Sequence, residues 1–173
     1  MSAVFDITND EGNILLWCQS DNAWAMMEYF RDIIDGKIPK TENTTLHYYY
    51  AEDERKLFGN SFVGDISYED LTIYHKKLEE FLNKHESSVN NIEENKLREY
   101  LGSLTDTLLT KKQILDIKRL CENALLLPED TGVFSYDTDF TAEFWEFVED
   151  LCDDIAYILE YVKQDTYEIS FTY

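Results

Sequence analysis

A chain of 173 residues with 36 Asp and Glu against 15 Lys and Arg carries a formal net charge of −21. Its 44% hydrophobic and 14% aromatic content is far too rich in core material for a disordered acidic chain. The charge has the wrong sign for binding nucleic acid through released counterions and for adhering to an anionic membrane. One compact domain over residues 1–173 is expected, burying about two-thirds of its unfolded surface.

The first residues, Met1 to Asp6, contain neither a basic region nor a long apolar run, so no signal peptide is read there. No apolar stretch approaches the roughly 20 residues of a membrane span. Cys18, Cys121 and Cys152 are odd in number and lack any C-x-x-C pairing, which argues against a disulfide framework or a zinc ribbon. Free thiols suit a reducing compartment, and the cytoplasm is the expected location.

Along the chain, Ala3–Ile7 and Ile14–Cys18 flank the turn-like stretch Asn9–Asn13 and predict a β-hairpin. Ser20 or Asp21 then caps a helix from Asn22 to Asp35, with Gly36 as its stop. Thr44–Ala51 is β-branched and aromatic enough for a strand, whereas Phe58–Ile66 stays ambiguous between strand and loop. Ser67 with Asp70 makes a capping pattern that opens a helix running to Lys84. Glu86–Asn95 reads as a loop, Glu94–Leu104 as a weak helix, and Thr110 with Gln113 as the capping box of another helix ended by Pro128 and Gly132. Asp137 or Asp139 caps a last helix over Thr141–Lys163. The tail Tyr167–Tyr173 alternates apolar and polar residues, a strand signal. The expected architecture is α+β, with four or five helices packed on a small, mainly antiparallel sheet that includes both termini.

The charge is concentrated. From Leu120 to Val162 there are twelve carboxylates and no Lys, Arg or His. Advancing 100° per residue along the last helix gathers Phe140, Phe144, Phe147, Val148, Leu151, Ile155, Ile158, Leu159 and Val162 into one apolar stripe. The opposite arc holds Glu143, Glu146, Glu149, Asp150, Asp153, Asp154 and Glu160, with Tyr157 and Tyr161 among them. Trp145, Cys152 and Ala156 fall on the flank between stripe and arc. Carboxylates three or four positions apart lie about 5–6 Å from each other and repel. No basic residue stands at i±3 or i±4 before Lys163 to relieve them.

Two readings fit that arc: a solvated face serving solubility, or a docking face for a basic protein. Tyrosine offers contact area at low entropic cost and is enriched in interface hot spots, which favours docking. The same carboxylate spacing suits imitation of phosphates along a nucleic-acid strand.

Catalytic and cofactor motifs are missing: there is no P-loop, G-x-G-x-x-G, G-x-S-x-G or H-E-x-x-H. His47, His75 and His85 have no metal-ligand spacing, and the last two are expected on one helix as surface or boundary residues. Asp137 and Asp139 open a calcium-like string that lacks the required Gly, because Ala142 stands there. No cofactor or metal is expected. An enzyme with a cryptic carboxylate or Cys18-based site remains the alternative of another class, and a plain assembly subunit a third.

In charge and size the chain resembles two groups of small acidic inhibitors. One is the bacterial immunity proteins that neutralise nuclease toxins; the other is the phage-encoded mimics of DNA that block restriction or guide-RNA nucleases. The likeness implies a non-enzymatic inhibitor of a basic, nucleic-acid-handling protein, with Glu143, Glu146, Glu149, Asp150, Asp153, Asp154, Tyr157, Glu160 and Tyr161 as its contact residues. It rests on no shared motif.

Overall fold

The computed structural model describes residues 2–49, 61–90, 132–134 and 138–173. Strands β1 (Val4–Thr8) and β2 (Ile14–Gln19) form the expected hairpin, and helix α1 (Ser20–Ile34) follows directly. Strand β3 (His47–Tyr48), strand β4 (Phe62–Ser67) and helix α2 (Tyr68–Asn90) come next. Helix α3 (Ala142–Tyr161) and strand β5 (Thr166–Thr172) complete the described chain. The class is α+β, with one antiparallel five-stranded sheet in the order β2-β1-β5-β4-β3. Three helices are described, against an expected four or five; those expected over 94–104 and 110–127 lie outside the described residues.

The two ends of the chain meet at the centre of the sheet. β5 lies between β1 and β4, with Phe5 opposite Phe171 and Ile7 opposite Ile169. Alternation then decides the faces: Phe5, Ile7, Tyr167, Ile169 and Phe171 are buried under the helices, while Glu168 and Thr172 point the other way and are exposed. Phe30 of α1 reaches both Phe5, at 5.1 Å between ring centroids, and Tyr74 of α2, at 4.9 Å. Phe62 and Phe171, directly opposite across β4 and β5, stack at 5.4 Å.

The start of α2 is tied to the loop before β3 through a buried carboxylate. Ser67 Oγ accepts from Asp70 N at 3.0 Å, as the capping pattern predicts. The Asp70 carboxylate does not take the Ser67 backbone N–H, as a capping box would have it. It accepts instead from Thr41 N at 2.9 Å, from Thr41 Oγ1 at 3.0 Å and from the Thr44 hydroxyl, while Ser67 N donates to Thr44 Oγ1 at 2.9 Å. This explains why the strand expected over 44–51 begins only at His47; residues 50 and 51 lie outside the described ones. Thr44 is completely buried and faces the cap rather than a ladder. Gly64 closes the same junction: its φ is +144°, and a Cβ there would meet Leu46 Cα at 2.9 Å and the Thr45 carbonyl oxygen closer still.

Other boundaries differ for local reasons. α1 begins two residues before the expected Asn22, and Gln19 is its N-cap without a side-chain bond. Ser20 is not the cap: its N–H is taken by the Ala3 carbonyl at 2.8 Å, and its φ is +56°. α2 continues six residues past Lys84, through a polar stretch that contains no Gly or Pro to stop it. Phe62–Ser67, ambiguous by composition, is a strand because its backbone pairs with β5.

Burial pushes the Asp70 carboxyl up, but the hydroxyl and amide donors of Thr44, Thr41 and Ser67 outweigh it, so its pKa lies below the ordinary value. A carboxylate depressed in the fold stabilises above its unfolded pKa, and that contribution disappears as pH falls through the folded one. Asp70→Asn is therefore expected to lower stability at pH 7 by about 1–3 kcal/mol. The gap from wild type should close below about pH 4, as read by urea midpoints at a series of pH values.

Candidate protein-docking face

α3 is positioned by its cap and by its apolar stripe. Thr141 is the N-cap, its Oγ1 accepting from Phe144 N at 3.1 Å. The expected caps are thereby corrected: Asp139 gives only its carbonyl, to Thr141 N at 3.0 Å, and Asp137 lies outside the described residues. Phe144, Val148, Leu151, Ile155, Ile158 and Leu159 are buried, and Phe140 just before the helix joins them. Phe147 and Val162 are half-buried. Tyr68 of α2 donates to the Leu159 carbonyl at 3.0 Å, which ties the two helices near their ends.

Trp145 is not a flank residue. It is fully buried, because Phe81 and His85 of α2 stack on it at 4.9 and 3.4 Å between centroids. His85 is accordingly a core residue rather than a surface or boundary one. Cys152 is also buried, while Ala156 is half-buried. An aromatic facing a second helix is captured by it even when the helical wheel leaves it at the edge of the stripe.

With the stripe seated, the opposite arc faces solvent. Glu143, Glu146, Asp150, Asp153, Asp154 and Glu160 are exposed, and Glu149 is half-buried. Tyr157 and Tyr161 are 60% and 66% exposed, one turn apart, with ring centroids 4.8 Å from each other. Among the described residues, no Lys or Arg forms an ion pair with any of those six exposed acids. Burial raises the Asp154 pKa, and the neighbouring charges of Asp150 and Asp153 raise it further. The arc is therefore under internal repulsion that an arriving cation would relieve.

Two further arrangements were not legible in the sequence. A cavity of about 670 Å³ lies between α1 and the start of α3, lined in part by Asp21, Trp24, Glu28, Arg31, Asp139 and Glu143. It continues the acidic character of α3 onto α1. At the α2/α3 seam, His75 stands 3.2 Å by Nδ1 from Glu79 and 3.5 Å by Nε2 from Cys152 Sγ. That is the order of groups in a cysteine nucleophile, its base and an orienting acid. Burial, with Glu79 and Asp153 nearby, instead pushes the Cys152 thiol up to about 11, away from the thiolate. Cys152 also sits mid-helix, where its backbone N–H is already committed. Cys18 is buried, donates toward Met26 Sδ at 3.3 Å, and is pushed up to about 12 by burial and by Asp6. Cys121 lies outside the described residues.

No group of three or more His, Cys, Asp or Glu among the described residues is placed to hold a metal ion. No described helix is long and apolar enough to cross a membrane. No protein-family model, curated protein or solved structure matches the chain.

A carboxylate whose pKa is raised in the fold costs stability above that pKa, and the cost vanishes once it is protonated. Asp154→Asn is thus expected to stabilise the protein slightly at pH 7, by about 0.5 kcal/mol or less after solvent screening. The gain should fade below about pH 4 and in concentrated salt, as followed by thermal unfolding.

Proposed function

We propose that this protein is a non-enzymatic inhibitor that docks the acidic arc of α3 onto a basic, nucleic-acid-handling protein, in the manner of an immunity protein neutralising a nuclease toxin. One observation carries the reading: six carboxylates and two large aromatic side chains share the outward side of one helix, and among the described residues no Lys or Arg pairs with those acids. A surface that handles nucleic acid presents Lys and Arg toward phosphates, and carboxylates spaced one helical turn apart supply acceptors to the same groups. Opposite potentials speed encounter, and mutually desolvated anchors slow departure. Here the acids steer, while Tyr157 and Tyr161 supply the apolar contact that outlasts the encounter.

The test starts with affinity capture from the native host and identification of the protein retained. Calorimetry then compares wild type with the triple variant Glu146→Lys, Asp150→Lys, Asp153→Lys. All three positions are exposed, so folding is expected to survive, as circular dichroism will check. Affinity should fall by roughly a hundredfold or more, given coupling energies of about 1.5 kcal/mol and upward for close charge pairs. Unchanged affinity removes the proposal. If the captured protein is a host nuclease whose duplex DNA competes for the same site, the DNA-mimic form of inhibition is selected over toxin immunity.

A further inference from the structure

Among the described residues the sheet has two edges, and they are built differently. One ends in β3, two residues long, a length that offers little to an incoming strand. The other ends in β2, six residues reading Ile-Leu-Leu-Trp-Cys-Gln, with no charge and no proline. Natural edge strands are ordinarily blunted by such residues. A register irregularity opposite Ile7 and Thr8 affects the start of β2 only. From Leu16 to Gln19 the pairing with β1 is regular.

The backbone phase of that stretch can be assigned. Ser20 N donates to the Ala3 carbonyl, and bonded pairs alternate along an antiparallel ladder. Phe5 with Cys18 and Ile7 with Leu16 are therefore the bonded pairs. The Trp17 N–H and C=O and the Gln19 N–H point away from β1 to the free edge. Among the described residues nothing pairs with them. The side chains beside this edge are the large exposed hydrophobics Trp17, at 52%, and Ile14, at 63%.

Charge selects the occupant. Asp10 and Glu11 precede β2, and Asp21 follows it. A second copy pairing antiparallel would set Asp10 and Glu11 of each chain beside Asp21 of the other, at both ends of the joint. A strand flanked by basic residues would meet opposite charge at the same two places. The edge also belongs to the acidic helix's side of the molecule: α3 packs against β2, and Asp10 N donates to Gln164 Oε1 at 2.9 Å, just beyond α3.

We infer that the free edge of β2 receives an extended, basic-flanked segment of a partner protein as a sixth strand. The backbone of Trp17 and Gln19 supplies the pairing, and the Trp17 side chain is covered on docking. The inference rests on the reading of α3 as a basic-protein receptor and adds to it the backbone through which the partner is held.

The probe is a short synthetic peptide of alternating Thr and Val with two lysines at each end. Binding to the full chain is followed by calorimetry and by the emission of the exposed Trp17. The lysine peptide should bind and shift that emission to the blue. A version N-methylated along both edges keeps the charge but cannot pair, and should bind roughly tenfold more weakly or worse. A glutamate-flanked version should not bind. Trp17→Pro removes an outward N–H without breaking a bond to β1 and should lose the peptide; the methylated probe makes the same test without altering the protein. Equal binding of methylated and unmethylated peptides overturns the inference and leaves only charge attraction. Absence of any binding also overturns it. A dimer in sedimentation with protected Trp17 and Gln19 amides replaces the proposed occupant by a second copy, and so overturns it too. The lysine-triple variant of α3 separates the two readings. Loss of binding there with Trp17→Pro unaffected defeats the edge alone, and the reverse pattern defeats the acidic arc alone.

Discussion

The rotation of α3 about its own axis is the constraint on which the molecule's outward character depends. Trp145 is held between Phe81 and His85 of α2, Phe140 just before α3 and Phe144 in its first turn. A large aromatic fixed at one azimuth leaves the remaining side chains little freedom. Burying a ring of this size is worth several times the few tenths of a kcal/mol at stake in any one repulsive i,i+4 carboxylate pair. The core therefore decides where the acids go, and they go outward together because the wheel sets them opposite Val148, Leu151, Ile155 and Leu159.

That hierarchy bears on the choice between a solubility face and a docking face. Solubility requires net charge of either distribution, and interspersed signs serve it with less self-repulsion. Here the charge is segregated: residues 71 to 119 are near balance, whereas Leu120 to Val162 has no basic residue. Segregation raises the local field: burial lifts the Asp154 pKa most, and the charges of Asp150 and Asp153 add to it. Tyr157 and Tyr161 sharpen the point, since two exposed rings in contact one turn apart do nothing for solubility. A face that is locally costly and partly aromatic fits a partner that removes the cost.

What the sequence disclosed followed the strength of the period. The two-residue alternation of β5 and the wide stripe of α3 were both readable, because a single register satisfies each of them. The hairpin was readable from its turn. What escaped were features made by contacts distant in sequence. The strand expected from residue 44 begins late because Thr44 and Thr41 serve a carboxylate on Asp70, a pairing across 26 and 29 positions. His85 read as a boundary residue until Trp145 came to lie on it. The outward setting of Tyr157 and Tyr161 was legible; the approach of His75 to Cys152, 77 positions apart, was not. Nor was the free edge of β2, since strand order is a property of the whole chain. Composition does show, in retrospect, that Ile14–Gln19 lacks any of the residues that guard an edge.

In the proposed reading, the sheet and the helix offer complementary kinds of recognition. An acidic helical face attracts from a distance and tolerates many arrangements of basic groups, so by itself it confers speed more than selectivity. A strand edge acts only at contact, and its hydrogen bonds demand an extended backbone in register. Each weakness is the other's strength. The wide attraction of α3 would gather basic proteins indiscriminately, and a pairing edge on the element it packs against would retain those that offer an exposed, positively flanked strand. Two modest filters acting in series exclude more competitors than either one strengthened alone, since a competitor must satisfy unrelated requirements of charge and of backbone geometry.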